Sequence, residues 1–140
     1  MPYRFSTLVL LLIAGIVNLA AAAPAAKQII VPGEDRFSPY AITIHVGQSV
    51  EFVNQDADSH NVISIDAFNT AGHKGLNHLL KHDSSFKLKF THPGVFPFYC
   101  GFHAMLDGSN QPIAPGPDGG IQDPDGNYGT PMSGVVTVIP

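Results

Sequence analysis

Four side chains of this sequence carry the donor atoms of one kind of metal chemistry. Cys100 and His103 stand three residues apart after an apolar run, so a tight loop can direct a thiolate and an imidazole at one point. His60 lies far upstream, and Met132 lies near the end of the chain. Thiolate and thioether sulfur favour Cu(I), whereas imidazole also satisfies Cu(II). The four residues therefore predict a site for one copper ion that alternates between these two states.

Cys100 is the single cysteine of the chain, so it forms no internal disulfide. The alternatives to a metal ligand are a bond to another chain or a buried, unreactive thiol, which is the usual state of a free cysteine. The imidazole of His103 three residues later favours the ligand over the buried thiol.

The other histidines give weaker signals. His45 lies in an alternating strand pattern and His92 in a turn, so both are expected at the surface. His73, His78 and His82 are close enough in sequence to suggest a second metal site. No carboxylate or cysteine obviously completes that set, so exposed side chains are the preferred interpretation.

The segments that must position these residues have the period of two that is typical of strands. Short runs of this kind, linked by Gly, Pro and Asp turns, predict an all-β Greek-key sandwich or barrel. One short helical loop is predicted at His78–His82, and residues 106–131, rich in Gly, Pro and Asp, predict a long surface loop. The predicted strands are Gln28–Val31, Ile42–Val46, Ser49–Asn54, His60–Ile65, Phe86–Phe90, Val95–Cys100 and Val135–Ile139.

Composition and the N-terminus narrow the class of protein. A chain of 140 residues favours one domain, and a formal charge of −4 argues against nucleic-acid binding.

The N-terminus has the three parts of an export signal. They are the basic residue Arg4, the apolar run Leu8–Val17 and the small residues Ala20–Ala23. We therefore expect a signal peptide at 1–23 and one domain at 24–140, with an uncleaved membrane anchor as the alternative. After signal removal no segment is apolar enough to span a membrane.

The motifs around the predicted ligands, taken in order, resemble the cupredoxins of the plastocyanin, amicyanin and pseudoazurin type. The resemblance covers nearly all of the expected mature chain. Its parts are a V-G-x-x-V-x-F-x-N run ending at Asn54, the His60-Asn61-Val62 strand start, the run Phe90–Cys100, the pair Cys100-x-x-His103, and Met132-Ser133-Gly134-Val135-Val136. The spacing between Gly94 and Tyr99 is one residue longer than the commonest one in the family.

The resemblance implies roles for matching positions. His60, Cys100 and His103 would bind copper, Asn61 would brace the cysteine loop by hydrogen bonding, and the ring edge of His103 would be the electron exit. Met132 matches the family's methionine before the final strand and is the preferred axial ligand. Met105 lies unusually close to His103, and a site without a thioether is the third alternative. The simplest explanation is an insertion, roughly Met105–Pro131, looped out over the copper end.

A function follows from this resemblance as an expectation. The protein would be a monomeric, exported carrier of single electrons, periplasmic in a bacterium, and not an enzyme. Its partners would be redox proteins of the cytochrome, oxidase or dehydrogenase type. One alternative is a copper carrier or store, which the histidines between Gly72 and Asp83 support weakly. Another is a cupredoxin with an open coordination position that binds a small molecule under the long loop.

Overall fold

The computed structural model describes residues 25–65, 69–70, 73–116, 120–121 and 129–140. The predicted signal peptide at 1–23 lies outside these ranges. The strands are β1 (Lys27–Val31), β2 (Ala41–His45), β3 (Ser49–Asn54), β4 (His60–Ser64), β5 (Asn69–Thr70), β6 (His73–Lys74), β7 (Asn77–Leu80), β8 (Ser85–Lys89), β9 (Gly94–Tyr99), β10 (Met105–Leu106), β11 (Pro112–Ile113) and β12 (Ser133–Ile139).

Two sheets share one hydrophobic core, as the sequence predicted. The smaller sheet has the order β1-β3-β8, and the larger has the order β2-β12-β9-β4-β7. Both are mixed, because β1 runs parallel to β3 and β2 runs parallel to β12 while the other pairs are antiparallel. Phe52 of the smaller sheet meets Phe98 of the larger edge to face, with ring centroids 5.3 Å apart. The all-β sandwich is confirmed.

Alternation along the strands determines which residues enter this core. In β3 every second residue is buried, and the same holds in β12. Because successive side chains of a strand point to opposite faces, buried Val136 and Val138 place every even-numbered residue of β12 on the inner face. Phe96 and Phe98 do the same for the even-numbered residues of β9.

The predicted helical loop at His78–His82 is wrong. Asn77–Leu80 is strand β7, which pairs antiparallel with β4 from His60↔Leu80 to Ile63↔Asn77. An isolated turn of helix closes few backbone hydrogen bonds, whereas an adjacent strand end satisfies these groups in a ladder. Leu80 is buried on the inner face while Leu79 is half exposed, as a strand requires.

The predicted long loop contains local structure in the part that the structure describes. β10 and β11 form a small antiparallel hairpin, and Ile121 pairs with Thr130 in an isolated bridge shortly before the chain enters β12. In the described ranges no helix is long and apolar enough to cross a membrane.

Candidate metal centre

The strand pattern brings the predicted ligands to one end of the sandwich. Cys100 follows Phe96 and Phe98 on the inner side of β9, and Met132 precedes Gly134 and Val136 on the inner side of β12. The backbone N–H of Cys100 donates to the carbonyl of Met132 at 3.0 Å, so the two residues lie opposite each other. His60 begins β4, whose Ile63 pairs with Tyr99 of β9. The end of β9 and the starts of β4 and β12 thus surround a single point.

The three strong donors lie at distances that fit one metal ion. The Sγ atom of Cys100 is 3.8 Å from Nδ1 of His60 and 3.8 Å from Nδ1 of His103. Bonds of about 2.3 Å to sulfur and about 2.0 Å to nitrogen, opened by roughly 120°, would separate these atoms by about 3.7 Å. The donor set therefore fits the trigonal arrangement of two histidines and one cysteine that copper adopts with a weak axial thioether.

The two candidate axial methionines occupy different environments. Met132 is fully buried, and its backbone N–H donates to the carbonyl of His103 at 3.2 Å. Met105 is 47% exposed and belongs to the hairpin, where it pairs with Ile113. The chain thus leaves the site after His103 and returns to it at Met132. This path matches the predicted insertion and leaves Met132 beside the three strong donors.

Asn61 fixes the cysteine loop in the way that the sequence predicted. Its Oδ1 accepts a hydrogen bond from the N–H of Gly101 at 2.6 Å. Its own backbone N–H points to Sγ of Cys100 at 3.5 Å. The two contacts together hold the start of the cysteine loop against the start of β4.

A carboxylate holds the far side of the His60 ring, which the sequence analysis missed. Nε2 of His60 lies 3.0 Å from Oδ2 of Asp56, and the His60 side chain is fully buried. A neutral imidazole that donates from Nε2 keeps its lone pair on Nδ1, the nitrogen that faces Cys100. The spacing of four residues between Asp56 and His60 was the one available sequence signal.

Asp35 adds a second carboxylate from the loop between β1 and β2. Its Oδ1 is 3.7 Å from Nε2 of His60 and also 3.7 Å from Nε2 of His103. Partial burial raises the pKa of the Asp35 carboxyl above its ordinary value. The two nearby histidines act in the opposite direction, but their effect is smaller than that of burial. Burial would also raise the pKa of Asp56, but hydrogen bonds from His60 and from the N–H of Ala57 outweigh burial and lower it.

The contacts of His60 with Cys100 and Asp56 also determine the direction in which its pKa is shifted. Burial opposes the charged form of this ring, but hydrogen bonding to Cys100 and Asp56 outweighs the burial and raises the pKa of His60 above its ordinary value. The pocket therefore favours a positive charge at this position. A bound metal cation would supply that charge in place of a proton.

Asn54 is a buried residue that shapes the loop between β3 and β4. Its Nδ2 donates to the carbonyls of Asp58 at 2.7 Å and Leu80 at 3.1 Å, and its Oδ1 accepts from the N–H of Asp56 at 2.9 Å. The side chain is fully buried. Asn54 thus connects the loop that carries Asp56 and His60 to the neighbouring strand β7.

We expect Asn54→Ala to lower the free energy of unfolding by about 2–4 kcal/mol, because three hydrogen bonds are lost and buried backbone groups lose their partners. Denaturant unfolding of the metal-free protein measures this change. The matched control is Gln55→Ala, an exposed neighbour, for which we expect a change within about 0.5 kcal/mol. Equal effects of the two substitutions would show that Asn54 does not hold the loop.

Among the histidine side chains that the structure describes, the remaining ones do not form a second metal-ligand group. His78 is exposed and stacks on Phe86 with ring centroids 3.8 Å apart, while Nδ1 of His82 donates to the backbone carbonyl of Asp56. The side chain of His73 lies outside the described residues. Among the described residues, the groups of three or more potential metal ligands are His60, Cys100 and His103, and Asp35, Asp56 and His60.

Comparisons with known sequences find one matching family model and several related proteins. Residues 6–109 match the family model of the cupredoxin-like domain. A chloroplastic plastocyanin of Physcomitrium patens is 38% identical over 72 residues, or 48% of this chain and 43% of that protein. A plastocyanin of Dryopteris crassirhizoma is 32% identical over 81 residues, or 51% of this chain and 79% of that protein. The chain thus spans less than half the length of the first relative and most of the second.

Solved structures show the same fold. A reduced amicyanin variant superposes with a TM-score of 0.55 at 21% identity, covering 86% of this chain and 88% of that chain. A purple cupredoxin from Nitrosopumilus maritimus gives a TM-score of 0.52 at 27% identity, covering 81% of this chain and 99% of that chain.

Proposed function

Because this chain belongs to the cupredoxin-like domain family, we propose that it carries single electrons between redox proteins. His60, Cys100, His103 and Met132 would hold one copper ion, which supplies the Cu(I)/Cu(II) couple when bound. Redox proteins of the cytochrome, oxidase or dehydrogenase type are the proposed class.

One observation carries this proposal: of the four proposed ligands, only His103 has exposed side-chain surface. Cys100, Met132 and His60 are fully buried, whereas the side chain of His103 is 24% exposed. A buried site of fixed ligands excludes water and changes little in geometry when its charge changes. The exposed ring of His103 gives an electron a short covalent path from the site to the surface.

The surface beside this ring is apolar. Phe102 adjoins His103 and is 54% exposed, and Met105 and Ile113, paired in the β10–β11 hairpin, are 47% and 41% exposed. We call Phe102, Met105 and Ile113 the apolar rim. Apolar side chains let a partner approach closely without stripping water from charged groups, and small patches of this kind suit transient encounters. The rim therefore supports docking of a redox partner over the exposed edge of His103.

The alternatives receive less support. Burial of Cys100 and Met132 argues against an open coordination position for a small molecule and against a cysteine that attacks a substrate. For these reasons we propose a carrier and not an enzyme. A copper-handling role would be favoured by clustered histidines, but His78 and His82 point to separate partners in the described structure.

Stopped-flow mixing tests the proposal. The copper-loaded, reduced protein is mixed with oxidised cytochrome c, and the copper content is measured before and after many cycles of oxidation and reduction. An electron carrier returns to the same spectrum and retains one copper per chain. Loss of copper to an apo-acceptor protein, with slow or absent electron exchange, would support the copper-handling function instead.

We also propose that residues 1–23 direct export and are removed, in a bacterium into the periplasm. The basic start, the short apolar run and the alanine-rich end support this proposal. Mass spectrometry of the protein from its native host should give a chain that begins near Ala23–Ala25. An intact segment from Met1 onward in membrane fractions would support an anchor instead.

A further inference from the structure

Two carboxylates face the copper ligands from the side opposite the thiolate. Asp56 Oδ2 lies 3.0 Å from Nε2 of His60, and Asp35 Oδ1 lies 3.7 Å from Nε2 of both His60 and His103. We call Asp35 and Asp56 the carboxylate pair. Asp35 lies in the loop after β1 and Asp56 in the loop after β3. Both residues are distant in sequence from Cys100 and Met132.

We infer that the carboxylate pair positions both histidine ligands and sets the reduction potential of the site, with Asp56 as the dominant residue. This inference rests on the proposed copper site. Both carboxylates contact Nε2 of the histidines, whereas Sγ of Cys100 faces the other ring nitrogen, Nδ1. Both are positioning residues, since they act through the imidazole rings.

The orientation of Asp56 is fixed before any metal binds. Its backbone N–H donates to Asn54, its backbone carbonyl accepts from His82 at 2.6 Å, and its Oδ1 accepts from the N–H of Ala57 at 2.7 Å. Only Oδ2 is left to face His60. A carboxylate held in this way can only accept at Oδ2, so Nε2 of His60 must carry its proton and Nδ1 must present its lone pair.

Charge supplies the second part of the inference. Asp56 is 9% exposed and Asp35 is partly buried, so solvent screens their fields less than it screens those of surface carboxylates. Negative charge near the site stabilises the more positive oxidation state over the less positive one. Removing one of these charges should therefore raise the reduction potential.

Replacement of Asp56 by asparagine tests whether the carboxylate determines the tautomer of His60. In Asp56→Asn one of the two oxygens becomes an NH₂ group, yet both positions face N–H donors, from Ala57 and from His60. If the amide nitrogen faces His60, it favours the tautomer with the proton on Nδ1, which cannot bind copper. The backbone N–H of Ala57 can only donate, so the amide oxygen is expected to keep that contact and the amide nitrogen to face His60, whose ring can shift its proton.

Asp58→Asn is the matched control. Asp58 lies in the same loop, between Asp56 and His60, and its side chain is exposed. The substitution removes the same formal charge at a position where water screens it. Any effect of overall charge or of loop sequence is thereby separated from the effect of the contact with Nε2.

Two measurements test the inference. Nitrogen-15 NMR of the copper-free protein, at a pH where the rings are neutral, reports the tautomer of His60. Copper affinity and reduction potential report the loaded site. In Asp56→Asn we expect a smaller population of the Nε2–H tautomer, a loss of copper affinity of about 10- to 100-fold, and a higher potential. Asp35→Asn should raise the potential by less, and Asp58→Asn should match the parent.

The NMR result stands whether or not the parent protein shows the colour of a thiolate-bound copper, so failure of the proposed function and failure of this inference are distinguishable. The inference is overturned if His60 in Asp56→Asn keeps the Nε2–H tautomer and the affinity and potential stay equal to those of Asp58→Asn. It is supported if the tautomer and either loaded-site property change in Asp56→Asn alone.

Discussion

Cys100→Ser is expected to abolish the colour of the copper-loaded protein and to leave the fold intact. A serine hydroxyl is a neutral oxygen donor at ordinary pH, so it offers copper neither the negative charge nor the soft sulfur of the thiolate. Cys100 is one small member of the core cluster, most of which is made by larger apolar side chains such as Phe52 and Phe98, and serine has nearly the same shape as cysteine. Far-ultraviolet circular dichroism should therefore match that of the parent.

The control for this substitution is His92→Ala. His92 is an exposed histidine in the turn before β9, where its ring contacts Thr91. We expect this variant to keep the visible spectrum and the copper content of the parent. A Cys100→Ser protein that retains the parent's colour would show that the thiolate is not a ligand.

Met132→Leu is expected to raise the reduction potential and alter the visible spectrum. The proposed thioether of Met132 would donate to the oxidised metal, and its replacement by leucine would remove that donor and leave a more apolar site; both changes would favour Cu(I). Met-to-Leu exchange nearly conserves volume, so the fully buried position should lose less than about 1.5 kcal/mol of stability. Spectroelectrochemistry measures the potential and the spectrum together.

Met105→Leu is the matched control, with the same chemical change at an exposed position of the hairpin. We expect its potential and spectrum to equal those of the parent. The assignment moves to Met105 if only that variant shifts. If both variants keep the parent's potential, the site has no thioether ligand.

The candidate ligands could be found from sequence because strand parity places them. Even-numbered residues of β9 and β12 face the core, and Cys100 and Met132 continue these series beyond the last apolar residues. A polar or sulfur-bearing residue at an inward position, at the end of a strand, must meet its counterpart on the neighbouring strand. Strand parity, with the pairing of β9 and β12, explains why these two residues meet at one end of the sandwich; the sequence itself indicated them by their donor atoms and by the family motifs.

The carboxylate pair could not be predicted in the same way. Asp35 lies in a turn with a φ of +50°, and turn chemistry alone explains an aspartate there. Its approach to the two histidines depends on how the loop after β1 passes over the end of the sandwich. That path is set by the parallel pairing of β1 with β3, a long-range contact without a local signature.

The error at His78–His82 has a similar origin. Two leucines between histidines four residues apart suit a helical face, and local sequence offers no sign of a strand partner. The edge of β4 supplies that partner, and pairing then decides the conformation of Asn77–Leu80. Local preference is weak over four residues, so the tertiary contact prevails.

Titration of the copper-free protein with Cu(II), followed by visible absorption, tests the central claim most directly. The account predicts an intense thiolate-to-copper charge-transfer band that grows linearly and stops at one copper per chain. It also predicts that reduction bleaches the band and that reoxidation restores it. Copper that binds with only weak absorption, or with no saturation at one equivalent, would contradict a buried site made by His60, Cys100, His103 and Met132.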